Sequence, residues 1–302
     1  MCPDHSAGGH GREPAVTDRV LTQLGRLARG ARAAGLGGAM RLCRDALDGA
    51  CAAAGILPLG TRWEGFEVRG FLRHRGFLEH IARGGYESLY RRLFEDAIGT
   101  DTVVVDGGAH IGIYSLLAAR RVGSEGCVLA FEPDPQNFSA LVANLKRNGC
   151  NRVIAQEKAI SNRTGKITFY QNPSTFSSSL VRRQSVGRTR AIELAATTLD
   201  AELEDRPLRS LVVKLDIEGA EPLALEGIQQ TAARCEELTL LLEVNPAALR
   251  DAGFSPRALA ERATALGLTC RWIDEAARRL VPAQNMADIP KGNLFCAREK
   301  RT

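Results

Sequence analysis

Asp106, Glu132 and Asp216 each follow an apolar run directly, and Gly107, Gly108 and Gly112 come straight after the first of them. Val103, Val104 and Val105 lead into Asp106 and the glycines. An apolar, helix-compatible run then extends from Ile113 to Val122, so the stretch reads strand, tight turn, helix. Glycines in such a turn let backbone approach a ligand closely, and the helix behind them presents free N–H groups and a positive dipole end. A ligand with a polar or anionic tail fits there.

The glycine spacing narrows the ligand. A dinucleotide fingerprint needs glycines at i, i+2 and i+5, but starting at Gly107 meets Ala109 and starting at Gly108 meets His110. That disfavours NAD and an NAD-dependent oxidoreductase. The pattern present is Asp-x-Gly-x-x-x-Gly, followed by a second strand, Cys127 to Phe131, that ends in Glu132-Pro133. A carboxylate at the tip of the second strand can accept from both hydroxyls of a ribose at once. Adenosine without pyrophosphate is the implied ligand.

Further acids collect downstream. Asp216, Glu218 and Glu221 follow the run Ser210 to Leu215, and Glu243 and Asn245 follow Leu238 to Leu242. Adjacent parallel strands would bring Asp216 within reach of Glu243 and Asn245, and these three could hold Mg²⁺ to acidify an acceptor hydroxyl. Alternatively Asp216 is itself the base or a cofactor contact, while Glu218 and Glu221 sit at a helix N-terminus. His110 is a second candidate base because its ordinary pKa is near neutrality, with a hydrogen-bonding role near the cofactor as the alternative.

Six blocks in order carry a family resemblance: Asp106 to Gly112, Ala130 to Pro133, Lys158 to Ser161, Ser177 to Leu180, Thr198 to Asp200, and Lys214 to Glu221. Together, over roughly residues 86 to 245, they resemble the FkbM-type S-adenosylmethionine-dependent methyltransferases. The resemblance implies that Gly108 and Gly112 cradle the amino-acid tail of S-adenosylmethionine. It also implies that Asp106 meets the cofactor ammonium, Glu132 the ribose, and the segment containing Ala159 the adenine edge. The implied activity is O-methyl transfer to a hydroxyl of a sugar, glycan or secondary metabolite. A catalytically silent, cofactor-binding partner subunit is the non-enzymatic alternative.

The elements that must position these residues follow from periodicity. Helix is expected from Pro135 to Asn148 and from Pro256 to Leu266. Strands are expected at Arg152 to Gln156, Lys166 to Tyr170, Ser210 to Leu215, Leu238 to Leu242, Thr269 to Ile273 and Leu294 to Ala297. Strands alternating with helices imply an α/β fold, a doubly wound and mostly parallel Rossmann-like sheet with ligand at the carboxyl ends of its strands. The Ser- and Arg-rich stretch from Asn172 to Arg190 suits a mobile lid over the acceptor.

Ahead of this domain (86–302) the chain divides into a disordered leader (1–15) and an extension (16–85). In the extension, two amphipathic helices are expected on either side of Gly35 to Gly38, then a hairpin over Thr61 to Phe77 and a helix from Tyr86 to Phe94. The helices are candidates for a homo-oligomer contact. Composition is that of an ordinary globular protein: 302 residues, 44% hydrophobic, 25% charged, and a net charge of +5 that is too small to demand nucleic acid. No apolar run approaches the ~18 residues of a membrane span. The eight cysteines contain no Cys-x-x-Cys pair, so reduced core thiols in a cytoplasmic protein are the expectation.

Overall fold

The computed structural model describes residues 39–40, 42–172, 178–180, 189–206, 208–283 and 291–298. The leader, the first of the two expected N-terminal helices and most of the Asn172–Arg190 stretch lie outside the described residues.

Chain order begins with α1 (42–53), the hairpin β1 (Leu59–Trp63) and β2 (Phe66–Gly70), a 3-10 turn Leu72–His74, α2 (Arg75–Ala82) and α3 (Ser88–Asp96). The expected hairpin is therefore shorter than Thr61 to Phe77, because Phe71 to Phe77 turns into helix. The core follows as β3 (Val103–Gly107), α4 (Ile113–Arg121), β4 (Cys127–Phe131), α5 (Pro135–Arg147), β5 (Val153–Gln156), β6 (Ala159–Ile160), β7 (Gly165–Gln171) and β8 (Arg190–Thr197). It continues through α6 (Leu199–Leu203), β9 (Ser210–Leu215), α7 (Glu221–Glu226), α8 (Gln229–Arg234) and β10 (Glu237–Val244). Then come α9 (Pro246–Asp251), α10 (Pro256–Ala265), β11 (Thr269–Asp274), β12 (Arg279–Pro282) and β13 (Gly292–Ala297).

Eight strands form the main sheet in the order β12-β11-β13-β10-β9-β3-β4-β5. The run β10-β9-β3-β4-β5 is parallel, and β13 enters antiparallel between β10 and β11. Strand order reverses between β3 and β9, which opens a crevice beyond their carboxyl ends. The strand expected over Lys166 to Tyr170 belongs elsewhere: β7 pairs with β8 in a separate three-stranded sheet completed by β6. β12, whose short run carries no alternation, was not anticipated.

Two-residue alternation explains the two core layers. Val103, Val105, Leu129, Phe131, Leu211, Val213 and Leu215 face one layer, with Leu199, Leu225 and Leu259 of α6, α7 and α10. Val104, Val128, Ala130 and Val212 face the other, with Leu116 and Leu141 of α4 and α5. This second layer also takes Trp63, Val68, Phe71, Leu78, Tyr90 and Phe94, so the hairpin and α2 share one core with the sheet. Glu275, beyond β11, accepts from the N–H groups of Leu89 and Tyr90 (2.9 and 2.7 Å) and caps α3 from far along the chain.

Cysteine pairing departs from the reduced-thiol expectation. Cys270 of β11 and Cys296 of β13 are directly opposite in register and form a disulfide, whereas Cys43, Cys51, Cys127, Cys150 and Cys235 are free. No helix among the described residues is long and apolar enough to cross a membrane.

Candidate functional site

A cavity at the carboxyl ends of β3, β4 and β9 is lined by Gly108, His110, Glu132, Ala159, Lys214 and Asp216, with Phe77 contributed by the N-terminal extension and Tyr86 by the first residue after it.

Gly108 has φ +72°, and a β-carbon there would lie 2.0 Å from the carbonyl oxygen of Asp216. The demand for glycine thus comes from the neighbouring strand end. The turn's amides are also spent within the protein: Gly108 and Ala109 donate to the Phe131 carbonyl (3.0 and 2.9 Å), His110 to Glu132 Oε2 (2.8 Å) and Gly112 to the Ala109 carbonyl (2.8 Å). The amides of Gly108, Ala109 and His110 close the turn onto the end of β4, and that of Gly112 closes it on itself. Gly112 does not line the cavity. Its φ is +95°, and a β-carbon there would press on Leu141 Cδ1 at 2.6 Å, so its role is packing against α5.

Asp106 is also beneath the cavity lining and fully buried. Its carboxylate accepts from Ser115 Oγ (2.6 Å) and faces Lys214 Nζ at 3.2 Å, and that ammonium donates to the Gly108 carbonyl (2.9 Å). The two nearby carboxylates Asp106 and Asp216 raise the Lys214 pKa against the opposing effect of burial. Asp106 therefore fixes the lysine that braces the turn, in place of the ligand contact expected of it.

Glu132 projects into the cavity from the end of β4. Its Oε1 accepts from the Asp134 amide (2.9 Å) and Asn137 Nδ2 (3.3 Å), and its Oε2 from the His110 amide (2.8 Å). These fill three of the roughly four acceptor positions of a carboxylate. One position remains for a further donor. Burial, helped by the neighbouring Asp134, pushes its pKa up to about 7.

His110 is held at φ 54°, a left-handed conformation that His and Asn tolerate better than most residues. Its ring stands edge-on to those of His74 and Phe77, at 5.0 Å from each. Burial drives its pKa well below the usual histidine value, with the nearby His74 and Arg73 acting in the same sense. An imidazolium is disfavoured there, which opposes the role of His110 as a proton acceptor.

Asp216, Glu218 and Glu243 bring one oxygen each to within 4.8 Å of one another. Asp216 and Glu243 meet as the register of β9 and β10 implies, and Glu218 supplies the third carboxylate beside Asn245. Asn245 Oδ1 accepts from the Ala248 amide (3.2 Å), capping α9, and its Nδ2 donates to Glu218 Oε2 (3.1 Å). Lys291 Nζ lies 2.7 Å from Glu243 and brings a positive charge to the group. Burial and the charge of Asp216 raise the Glu243 pKa well above the carboxylate range. Glu221 is turned away, accepting from the Ile217 and Gly219 amides (2.9 and 3.0 Å) at the start of α7.

Several cavity residues escaped the sequence reading. Lys214 carried a signal, since a lone charge inside Leu211-Val212-Val213-Lys214-Leu215 has to be matched on a parallel strand buried on both faces. Tyr114 and Lys291 carried none. Tyr114 Oη donates to Glu87 Oε2 (2.5 Å), and Glu87 is itself at φ 44°. Ser178 and Leu180, the described part of the expected lid, line the cavity, and Ser179 Oγ donates to the Glu218 carbonyl (2.8 Å).

The strand order, with its reversal at β3 and β9 and one antiparallel strand inserted next to β10, defines the Rossmann-like fold of the class I methyltransferases. Within that class the chain belongs to the FkbM methyltransferase family, whose domain model matches residues 106–264. A search of curated proteins returns no match. Among solved structures, the chain is similar to a SAM-dependent O-methyltransferase from Thermotoga maritima (14% identity, 82% of this chain and 79% of that one, TM-score 0.40). It is also similar to an O-methyltransferase from Bacillus cereus in complex with SAH (11%, 84% and 90%, 0.41) and to a putative rRNA-methylase from Clostridium thermocellum (10%, 70% and 93%, 0.42). Likenesses at this level bear on neither substrate nor cofactor.

Proposed function

We propose that this methyltransferase uses S-adenosylmethionine to methylate a hydroxyl of a sugar, glycan or secondary metabolite. The observation that carries the reading is the balance of charge in the cavity. Its three lysines are each matched by a carboxylate: Lys158 by Glu202 (2.7 Å), Lys214 by Asp106 (3.2 Å) and Lys291 by Glu243 (2.7 Å). Glu132 and Asp216 add carboxylates beyond these pairs. Such a cavity suits a ligand bearing ammonium and sulfonium charges and disfavours a pyrophosphate.

The residues present fit that cofactor. Glu132 keeps one acceptor position for a ribose hydroxyl, Ala159 and Ile160 offer an apolar wall to a flat base, and Gly108 lines the cavity without a side chain to fill it. S-adenosylmethionine, when bound, supplies an electrophilic methyl group. The chain's part is to orient an acceptor and take its proton, and Asp216, which lines the cavity at the end of β9 beside the glycine turn, is the residue to do so. Phe77 and Tyr86 give the acceptor side an aromatic wall suited to the apolar face of a sugar ring.

Calorimetry with S-adenosylhomocysteine and NAD, followed by labelled methyl transfer to a panel of glycosides, tests the reading. Binding of S-adenosylhomocysteine with label in a hydroxyl ether is expected. Binding of NAD alone would overturn it, and label found only in amines would overturn the hydroxyl assignment.

A further inference from the structure

His74 lies outside the family match, far from any sequence motif, yet it is fully buried and connected to the cofactor side of the cavity. Its Nδ1 accepts from the Phe71 amide (3.0 Å). Burial lowers its pKa to about 4, so near neutrality the ring is uncharged and its one proton is on Nε2. That nitrogen stands 3.0 Å from Asn137 Oδ1, and Asn137 Nδ2 in turn donates to Glu132 Oε1. Donor and acceptor are therefore set at every link from His74 to Asn137 to Glu132.

The ring is itself held in place. Asp48 of α1, buried, accepts from the amides of Leu72 (2.6 Å) and Arg73 (3.0 Å) and so pins the 3-10 turn that carries His74. A β-carbon on Gly70 would stand 2.7 Å from His74 Nδ1, so the end of β2 is shaped around the ring.

We propose that His74 and Asn137 are positioning residues that aim the Glu132 carboxylate at the cofactor ribose, making the segment from Asp48 to His74 part of the cofactor site. Without the histidine, the Asn137 amide loses the partner that keeps its NH₂ toward Glu132, and rotation would set an oxygen against the carboxylate. The proposal rests on the cofactor reading given above.

The test is S-adenosylhomocysteine binding by calorimetry, with melting temperature as the folding control. His74→Phe, His74→Gln and Asn137→Ala are compared in the wild-type and Glu132→Gln backgrounds. His74→Phe and Asn137→Ala are expected to weaken binding by about tenfold, the scale of one hydrogen bond to a charged group. His74→Gln, whose Nε2 stands near the place of the ring nitrogen, is expected to restore it. In the Glu132→Gln background none of the three should matter, because interacting residues are non-additive where independent ones are not. Asn137→Ala leaves the hairpin untouched and decides the matter if His74→Phe does not fold. Equal affinity in Asn137→Ala, or a loss that persists beside Glu132→Gln, would overturn the positioning role alone. A wild-type protein that binds no S-adenosylhomocysteine would overturn the cofactor reading and the inference with it.

Discussion

Gly108 and Asp216 stand back to back: the position a β-carbon would take on Gly108 is 2.0 Å from the Asp216 carbonyl oxygen, and the Asp216 amide donates to the Gly107 carbonyl at 3.1 Å. The glycine turn and the end of β9 are thus one rigid unit. Gly108→Ala meets both the strain of a positive φ, about 1–2 kcal/mol, and a clash with backbone that has no free side to move to. The expected outcome is a marked fall in the urea midpoint, with cofactor binding lost as a consequence. A Gly108→Ala protein as stable as wild type would show that the two strand ends are not coupled.

Through Glu132, cofactor affinity is expected to depend on pH. Its pKa of about 7 means that the empty site holds much of it as the neutral acid below neutrality. A ribose hydroxyl donates best to the carboxylate, so S-adenosylhomocysteine should bind more weakly as pH falls from 8 to 6 and should lower the Glu132 pKa when bound. Glu132→Gln should cost about 1.5–3 kcal/mol of binding at pH 8 and flatten the profile. Titration by calorimetry at several pH values reads both, and an unchanged slope in Glu132→Gln would remove this residue from the ribose site.

Glu221 bears on stability in the same pH range. Its carboxyl, buried under the turn after β9, is raised to about 8, mainly by burial. A carboxyl whose folded pKa lies above its unfolded value binds more protons folded than unfolded. Its stabilising contribution is complete below the unfolded value of 4.5 and is lost as pH rises through about 8. Melting temperature of the ligand-free protein should fall from pH 5 to pH 8, and Glu221→Gln, which keeps the carbonyl acceptor for one amide, should lessen that slope. A slope unaltered by Glu221→Gln would place the titrating group elsewhere.

The sheet was legible because β3, β4 and β9 are apolar runs that end in an acid, a pattern that marks both strand and carboxyl end. Glu132 and Asp216 were legible for the same reason, and both line the cavity. Asp106 and Gly112 show the limit. The residue types suited a ligand, but Lys214 and Leu141 claim them from elsewhere in the chain, and spacing carries no record of such partners. The cap that Asn245 places on α9 was not legible, because it depends on Pro246 starting a helix at once. His74 could not be read at all, since its meaning lies in Asn137, reached only through the fold.

His110 separates shape from chemistry. A left-handed φ of 54° suits Asn as well as His, and burial opposes a charged ring. His110→Asn should therefore fold and keep kcat within a few-fold, while His110→Val should be destabilised by its β-branched side chain at positive φ. Thermal melts and steady-state rates check this together. A loss of several hundredfold in kcat for a well-folded His110→Asn would restore the histidine as the base.

Asp216 is then expected to be the position on which turnover depends most. It lines the cavity at the end of β9, beside the glycine turn on one flank and within 4.8 Å of Glu218 and Glu243 oxygens on the other. A carboxylate there can take the acceptor's proton directly, or it can join its two neighbours in holding a divalent cation that acidifies the hydroxyl. Both routes need the charge, so Asp216→Asn should keep S-adenosylhomocysteine affinity within a few-fold and lose about two orders of magnitude in kcat, the scale of one general base. A chelator tells the routes apart. If Asp216 acts alone, chelator has no effect and Lys291→Met, by removing the charge that offsets Glu243, only pushes the Glu243 pKa further up. If a cation is held, chelator abolishes turnover and Lys291→Met tightens the metal requirement. Near wild-type turnover by Asp216→Asn would leave orientation of the acceptor as the chain's whole contribution.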